Sequence, residues 1–400
     1  MLTLPEIHRA ADLLRKRIIR TPLVYSPTFS EMTGVKIFLK LETLQKAGSF
    51  KVRGAAYRIL SDKTGIGEKG VIAASAGNHA QGVSVAAAMA GIPATIVMPL
   101  HASLSKLAAT NSYGARVILH GENLTEAIGE AKRLAEESGA VFIHPFDDPG
   151  ILAGTATIGL EILEDLPDCD VIVVPVGGGG LIAGIAAAAH LIRPGIRIIG
   201  IQAKACPSAF DALRAGEAVD VEPGPSIADG IMVSRVGSLT LPVIQSLVEE
   251  IVIVDEEEIT DAMLLLLERK KVIAEGAGAS PLAGLLSGRI RLNPGDRVVL
   301  VISGGNVDTP LLDRIIRIGL LRTGRLMHYA VTLDDSPGNL ARFLSVVGGC
   351  GGNVMNIRHS RMDPDLPVKK VRVEVEIETR DKRHIGEIRN ALVKAGFSEG

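Results

Sequence analysis

Lys51 lies in the run Lys46-Ala47-Gly48-Ser49-Phe50-Lys51-Val52-Arg53-Gly54-Ala55. A helix is expected to begin near Ser49, with Ser49 as its cap and Lys51 in its first turn. An ammonium sits badly there, because a helix N-terminus carries partial positive charge and free N–H groups. Arg53 is expected to add to the repulsion. A lysine held neutral is a nucleophile that forms an imine with a carbonyl. A single lysine is more often ordinary solvated surface, so its meaning depends on the rest of the chain.

The strongest independent signal is the apolar run Asp170 to Val176 followed by Gly177-Gly178-Gly179-Gly180-Leu181. A strand that runs through consecutive glycines into a helix exposes N–H groups with no Cβ in the way, which is how phosphate is cradled. A tight strand-to-helix turn is the competing explanation. Gly178, Gly180 and Ala183 also satisfy a dinucleotide fingerprint, but the next strand ends at Gln202 rather than at an acidic residue that would grip a ribose. No Walker lysine follows, which argues against a nucleoside triphosphate.

Two further clusters fall where strands meet helices. Ser75-Ala76-Gly77-Asn78-His79 offers a helix N-terminus able to accept a carboxylate, with Ser75 as its expected cap. The plain alternative is a cap followed by solvated polar side chains. Ser303-Gly304-Gly305-Asn306 follows another apolar strand, at the carboxyl end where open α/β sheets bind ligands. Ser303 either faces a ligand there or caps a helix starting near Asn306. An imine-forming lysine, a phosphate cradle and a carboxylate-accepting helix end together point to pyridoxal phosphate acting on an amino acid.

The elements that must position these groups form an α/β pattern. Strands are expected at 71–75, 95–98, 117–119, 171–176, 196–201, 251–254 and 298–302, with helices between them such as 78–90 and 123–137. Apolar strands alternating with helices give parallel sheets covered on both faces. An amphipathic N-terminal helix carries Ile7, Ala11, Leu14 and Ile18. From Arg322 the pattern changes to strand 326–333, helix 339–347, strands 353–362 and 368–377, and helix 385–395. This β-α-β-β-α order describes a small α+β domain with one solvated sheet face.

With these motifs in order, the sequence resembles the fold-type II pyridoxal-phosphate enzymes and, among them, the threonine ammonia-lyases. The resemblance covers nearly the whole chain. It implies two open, twisted, mainly parallel sheets in a catalytic domain spanning 1–321, with a smaller subdomain at about 46–145. Lys51 would be the Schiff-base lysine and the base that removes the substrate's α-proton. Phe50, Asn78, Gly177, Gly178, Gly179, Gly180, Leu181 and Ser303 would contact the cofactor, Asn78 at its ring hydroxyl and Ser303 at its ring nitrogen. Ser75, Ala76, Gly77, Asn78 and His79 would hold the substrate. Ser303 is a neutral partner for the ring, which suits β-elimination better than chemistry needing a long-lived carbanion.

Similar serine racemases carry a second serine where this chain has Ala76, so racemisation lacks its second acid/base. They also bind a divalent cation through acidic side chains, where this chain has Gln202, Cys206 and Ser208. Hard cations want anionic oxygen, so no metal is expected. Residues 322–400 resemble an ACT domain, a regulatory module that binds amino acids. The resemblance places an effector at Pro337, Gly338, Asn339 and Asn353. Little chain remains after Ala395 for the usual final strand, which is therefore expected to be absent or supplied by a partner.

Composition narrows the function classes. The 400 residues carry a formal charge of −2, no Trp, and three widely separated cysteines. No basic block suggests nucleic acid, and no cysteine spacing suggests a structural metal or disulfide framework. The stretch 171–192 lacks charge but contains Pro175 and four glycines, unlike a membrane span. A cytoplasmic homo-oligomeric enzyme is expected, with a non-catalytic amino-acid sensor or a serine dehydratase or racemase of the same fold as the alternatives.

Overall fold

The computed structural model describes residues 2–362 and 365–399. The chain divides into two compact units, Met1–Asp308 and Thr309–Gly400. The expected boundary after residue 321 falls inside the helix Thr309–Thr323, which belongs with the second unit.

The first unit is built on two sheets. One has six strands in the order β1-β2-β10-β7-β8-β9: β1 Leu23–Tyr25, β2 Lys36–Leu41, β7 Val171–Pro175, β8 Arg197–Ala203, β9 Glu250–Val254 and β10 Arg297–Ile302. Only β1 runs antiparallel to its neighbour. The other sheet is parallel, in the order β5-β4-β3-β6: β3 Val71–Ala74, β4 Ala94–Met98, β5 Arg116–Leu119 and β6 Val141–Phe142. It lies in the stretch read as the smaller subdomain. Every residue of β7 is buried, as a central parallel strand covered on both faces must be. The pattern-based reading missed β1, β2 and β6, which are short or carry lysines. Lys36 and Lys40 interrupt the apolar signal of β2, and Lys40 is fully buried against Glu161, at 2.6 Å.

Strand order decides where the loops go. β10 lies between β2 and β7, with Ile302 beside Leu41 and Leu300 beside Val173. The segments after β2, β7 and β10 therefore emerge side by side, carrying Lys51, the glycines and Ser303. The N-terminal helix Leu4–Leu14 is fixed by a capping box between Thr3 and Glu6 and buries Ile7, Ala10 and Leu14. Ile18 lies beyond its end.

The second unit has the expected β-α-β-β-α order, with β11 Leu326–Asp334, β12 Asn353–Ser360 and β13 Lys370–Glu378 in an antiparallel sheet β11-β13-β12. Val371, Val373, Val375 and Ile377 alternate into a core with Tyr329, Phe343, Val347, Ile388 and Leu392, matching the period-2 pattern. Among the described residues no fourth strand forms, and Glu399 makes one antiparallel bridge to Val331 on the β11 edge. The opposite edge strand, β12, exposes Met355 and Ile357.

Candidate active site

The helix carrying Lys51 spans Lys51–Ser61, preceded by Phe50 in helical conformation with no side-chain cap. Ser49 does not cap it. Its backbone is extended, it bridges Gly304, and its buried hydroxyl has no partner among the described residues. The amide of Phe50 donates to the carbonyl of Ser303 at 3.0 Å, and that of Gly305 to the carbonyl of Gly48 at 2.9 Å. These pairings lash the lysine to the serine-glycine turn after β10. Gly82 lets the Asn78–Ala90 helix approach closely, since a Cβ there would lie 3.0 Å from the Lys51 carbonyl carbon.

Lys51 is half-buried, its Nζ donates to the carbonyl of Pro145 at 2.9 Å, and it lies 5.2 Å from the centre of the Phe50 ring. Burial lowers its pKa to about 8, against the opposing pull of Glu275. Arg53 does not repel Lys51 as expected. Arg53 faces away into a buried cluster, bonding Glu42 at 2.8 Å and Glu161 at 2.7 Å. Burial opposes its charge, but those carboxylates more than compensate and hold its pKa above the ordinary value. The lysine is depressed by desolvation, not by an arginine neighbour.

Gly179 of the glycine turn has φ +93°, and the turn leads into the helix Gly180–Ile192. No described residue accepts a hydrogen bond from the amides of Gly177 to Leu181, and Gly178, Gly179, Gly180 and Leu181 are buried. A row of free N–H groups at a helix N-terminus is a ready phosphate site. The reason for the glycines is only partly the one expected. A Cβ on Gly178 or Gly180 would run into Phe146, and one on Gly179 into Thr240 and Ile244. The sequence therefore needs glycine there to pack the turn, while the amides are free because they stand at the start of a helix.

At the end of β3, Ser75 accepts from the amide of Gly77 at 3.0 Å. Gly77, not Ser75, is the cap of the Asn78–Ala90 helix. The amides of Asn78 and His79 in its first turn have no described acceptor. His79 is buried rather than solvated, its Nε2 lies 2.9 Å from the carbonyl of Ile143, and burial pulls its pKa down to about 3. The ring is thus neutral with its proton on Nε2. Asn78 donates from Nδ2 to Glu275 at 2.7 Å and accepts at Oδ1 from Asn306 at 2.8 Å.

Ser303 is buried at the end of β10, and no described residue hydrogen-bonds its hydroxyl. It caps no helix, the next one starting at Thr309. Where similar racemases are said to bind a cation, Gln202 bonds Ser208 at 3.2 Å, and Ser208 and Cys206 both donate to the carbonyl of Val233. Those polar groups satisfy one another.

Sequence reasoning missed Pro145, Phe146 and Glu275. The first two act through backbone position and shape. Glu275 left a signal, as the one charged residue between Val272 and Gly288 in a run of small residues. The effector residues do not converge. Pro337, Gly338 and Asn339 form the turn after β11, and Asn339 there bonds Ser336 at 2.8 Å. Asn353 begins β12 beside Glu378, which pairs with Leu326 at the start of β11. The nine residues of β11 therefore separate the two groups, by roughly 25 Å.

The free amides and a half-buried, desolvated lysine suit pyridoxal phosphate, and the family model "Pyridoxal-phosphate dependent enzyme" matches residues 14–304. The chain belongs to this family. Among pyridoxal-phosphate enzymes it is 48% identical to the L-threonine ammonia-lyase of Thermotoga maritima, over 99% of this chain and 98% of the relative. It is 46% identical to that of Geobacter sulfurreducens, over 99% and 98%. The processed form of threonine deaminase isoform 2 from Solanum lycopersicum superposes with a TM-score of 0.74 at 34% identity, over 80% of this chain and 87% of that one. Maize serine racemase superposes with a TM-score of 0.75 at 37% identity, over 80% and 98%. The pyridoxal-phosphate architecture thus accounts for both sheets of the first unit.

Proposed function

We propose that this chain catalyses β-elimination of water from L-threonine, releasing 2-oxobutanoate and ammonia, and acts more slowly on L-serine to give pyruvate. The observation that carries this reading is the convergence of Lys51, the free glycine-turn amides and Ser303 at the carboxyl ends of β2, β7 and β10. Bound pyridoxal phosphate supplies an electron sink that acidifies the substrate's α-proton and lets the β-hydroxyl leave.

The chain's own residues do the rest. The amides of Gly177 to Leu181 hold the phosphate. Phe50 packs beside the Lys51 amine. The Lys51 amine, desolvated so that its proton is loosely held, takes the α-proton. Ser75, Ala76, Gly77 and the amides of Asn78 and His79 hold the substrate carboxylate at a helix N-terminus. Ser303 offers the ring nitrogen a hydroxyl, a partner too weak to favour a long-lived carbanion. Ala76 presents only a methyl group, so racemisation has no acid/base there.

The second unit is read as an amino-acid-sensing regulatory domain. Because Asn353 lies at the far end of the sheet from Pro337, Gly338 and Asn339, a shared effector site needs a second copy of the chain. The exposed Met355 and Ile357 on β12 support a homo-oligomer. No helix among the described residues is long and apolar enough to cross a membrane, and the cysteines are free, which supports a cytoplasmic enzyme. The test is to supply L-threonine and L-serine to the cofactor-loaded protein and measure keto acid, ammonia and D-amino acid. Keto acid mainly from threonine is expected, and D-serine as the main product would overturn the reading.

A further inference from the structure

Glu275 stands immediately before the helix Gly276–Leu286. Its side chain is only 5% exposed, and it lies in the middle of the site rather than at its rim. A Cβ on Gly304, the residue after Ser303, would come within 2.5 Å of Glu275 Oε1. Glycine at 304 therefore makes room for this carboxylate. The Glu275 amide in turn donates to the Gly304 carbonyl at 3.1 Å. The fold thus seats a carboxylate in a place where charge is expensive.

Among the described residues, its one hydrogen-bonded side chain is Asn78, and the chemistry of that contact is settled by a chain of amides. Asn306 Nδ2 lies 2.7 Å from the carbonyl of Ala47. A carbonyl can only accept, so Asn306 presents its amino group on this side. The Asn78 atom 2.8 Å from the same nitrogen is then Oδ1. Asn78 Nδ2 must therefore face Glu275, at 2.7 Å. One N–H of Asn78 goes to Glu275, and the other remains to meet a ligand.

The charged groups around Glu275 are few. Lys51 faces it from its own helix, and Asp229 from the turn Asp229–Ile231. Lys106, which pairs with Asp229 at 2.6 Å, contributes from the helix Leu104–Ser112. Burial, then Asp229, raises the Glu275 pKa, while Asn78, Lys106 and Lys51 lower it. The result is about 7, so the group changes charge near neutral pH.

We propose that Glu275 is a positioning residue for the cofactor's ring oxygen: acting through Asn78, it aims the free Asn78 N–H at that oxygen, and its charge state tunes the oxygen's protonation. This rests on the reading that Asn78 contacts the ring hydroxyl. A negative Glu275 draws on the Asn78 amide from the other side and places a second negative charge near the ring oxygen. A neutral Glu275 removes both influences.

The test is a pH titration of the visible absorption of the cofactor-loaded protein between pH 5.5 and 9, for wild type, Glu275→Gln, Glu275→Asp and Asn78→Ala. Cofactor affinity of each cofactor-free form is measured by fluorescence. Glutamine keeps an acceptor for Asn78 but cannot ionise. The wild type should show a spectral transition near neutrality that Glu275→Gln lacks and Glu275→Asp retains at a shifted midpoint. Glu275→Gln should weaken cofactor binding severalfold, with thermal unfolding confirming a folded protein. If Asn78→Ala alters the spectrum while Glu275→Gln titrates like the wild type, the role of Glu275 is overturned and that of Asn78 stands. If Asn78→Ala leaves spectrum and affinity unchanged, the placement of Asn78 fails and the proposal with it.

Discussion

The Phe50 amide and the Ser303 carbonyl are hydrogen-bonded at 3.0 Å. This bond joins the residue before the proposed base to the residue proposed to face the ring nitrogen. The two come from opposite ends of the first unit's sequence, but β2 and β10 are adjacent parallel strands. The amine proposed to transfer the proton and the hydroxyl proposed to meet the ring nitrogen are thereby fixed in one frame.

Lys51→Ala should remove the visible absorption of the covalently held cofactor and lower keto-acid formation from threonine. A positioned acid/base contributes about a hundred- to ten-thousandfold, and losing covalent cofactor attachment adds to that. Absorption spectra and steady-state assays check it. Wild-type turnover in the variant would end the assignment.

Gly178→Ala should displace the Phe146 ring from the glycine turn. Overpacking of this kind costs about 1–3 kcal/mol, read as a lower Tm. Cofactor affinity should fall as well, because the amides move with the backbone. Adding Phe146→Ala should recover part of the Tm, an outcome not expected if the glycine served the phosphate alone.

Arg53→Met should destabilise the first unit by about 3–5 kcal/mol, the usual penalty for leaving buried carboxylates unpaired. Glu42 would lose its arginine partner, and Glu161 would keep only Lys40. Denaturant unfolding measures this. The protonation behaviour of Lys51 should change little, since Arg53 is not among the causes of its shift.

The His79 ring, neutral when folded, should make stability fall as the solution is acidified. Its folded pKa of about 3 lies below the ordinary 6.5, so the unfolded chain binds the extra proton between those values. Stability from this group is intact above pH 6.5 and is lost as pH drops towards 3. His79→Gln, which can still donate to the Ile143 carbonyl, should flatten the dependence of Tm on pH across that window.

Isoleucine, valine or another amino acid should change threonine turnover in the full chain, and Asn339→Ala or Asn353→Ala should blunt the response without altering basal turnover. Sedimentation should show an oligomer that Met355→Glu weakens. A monomer with an unchanged effector response would contradict a site shared between copies.

The sequence by itself determined the fold class and the chemical inventory. The apolar run of β7 breaks into glycine because a covered parallel strand must be apolar and a strand-to-helix turn must be small. The alternation of Val371, Val373, Val375 and Ile377 revealed the one-sided sheet of the second unit for a similarly local reason. Local pattern could not show which loops meet. The strand order that puts β10 between β2 and β7 decided that, and it made Ser303 a neighbour of Lys51. The cause of the Lys51 shift also lay beyond local reasoning, because the direction of the Arg53 side chain depends on Glu42 and Glu161. Glu275 stands out in the sequence as a lone charge among small residues, but that signal could not assign it a role. Desolvation and amide orientation are properties of what surrounds a group in space, and only the tertiary structure supplies those surroundings.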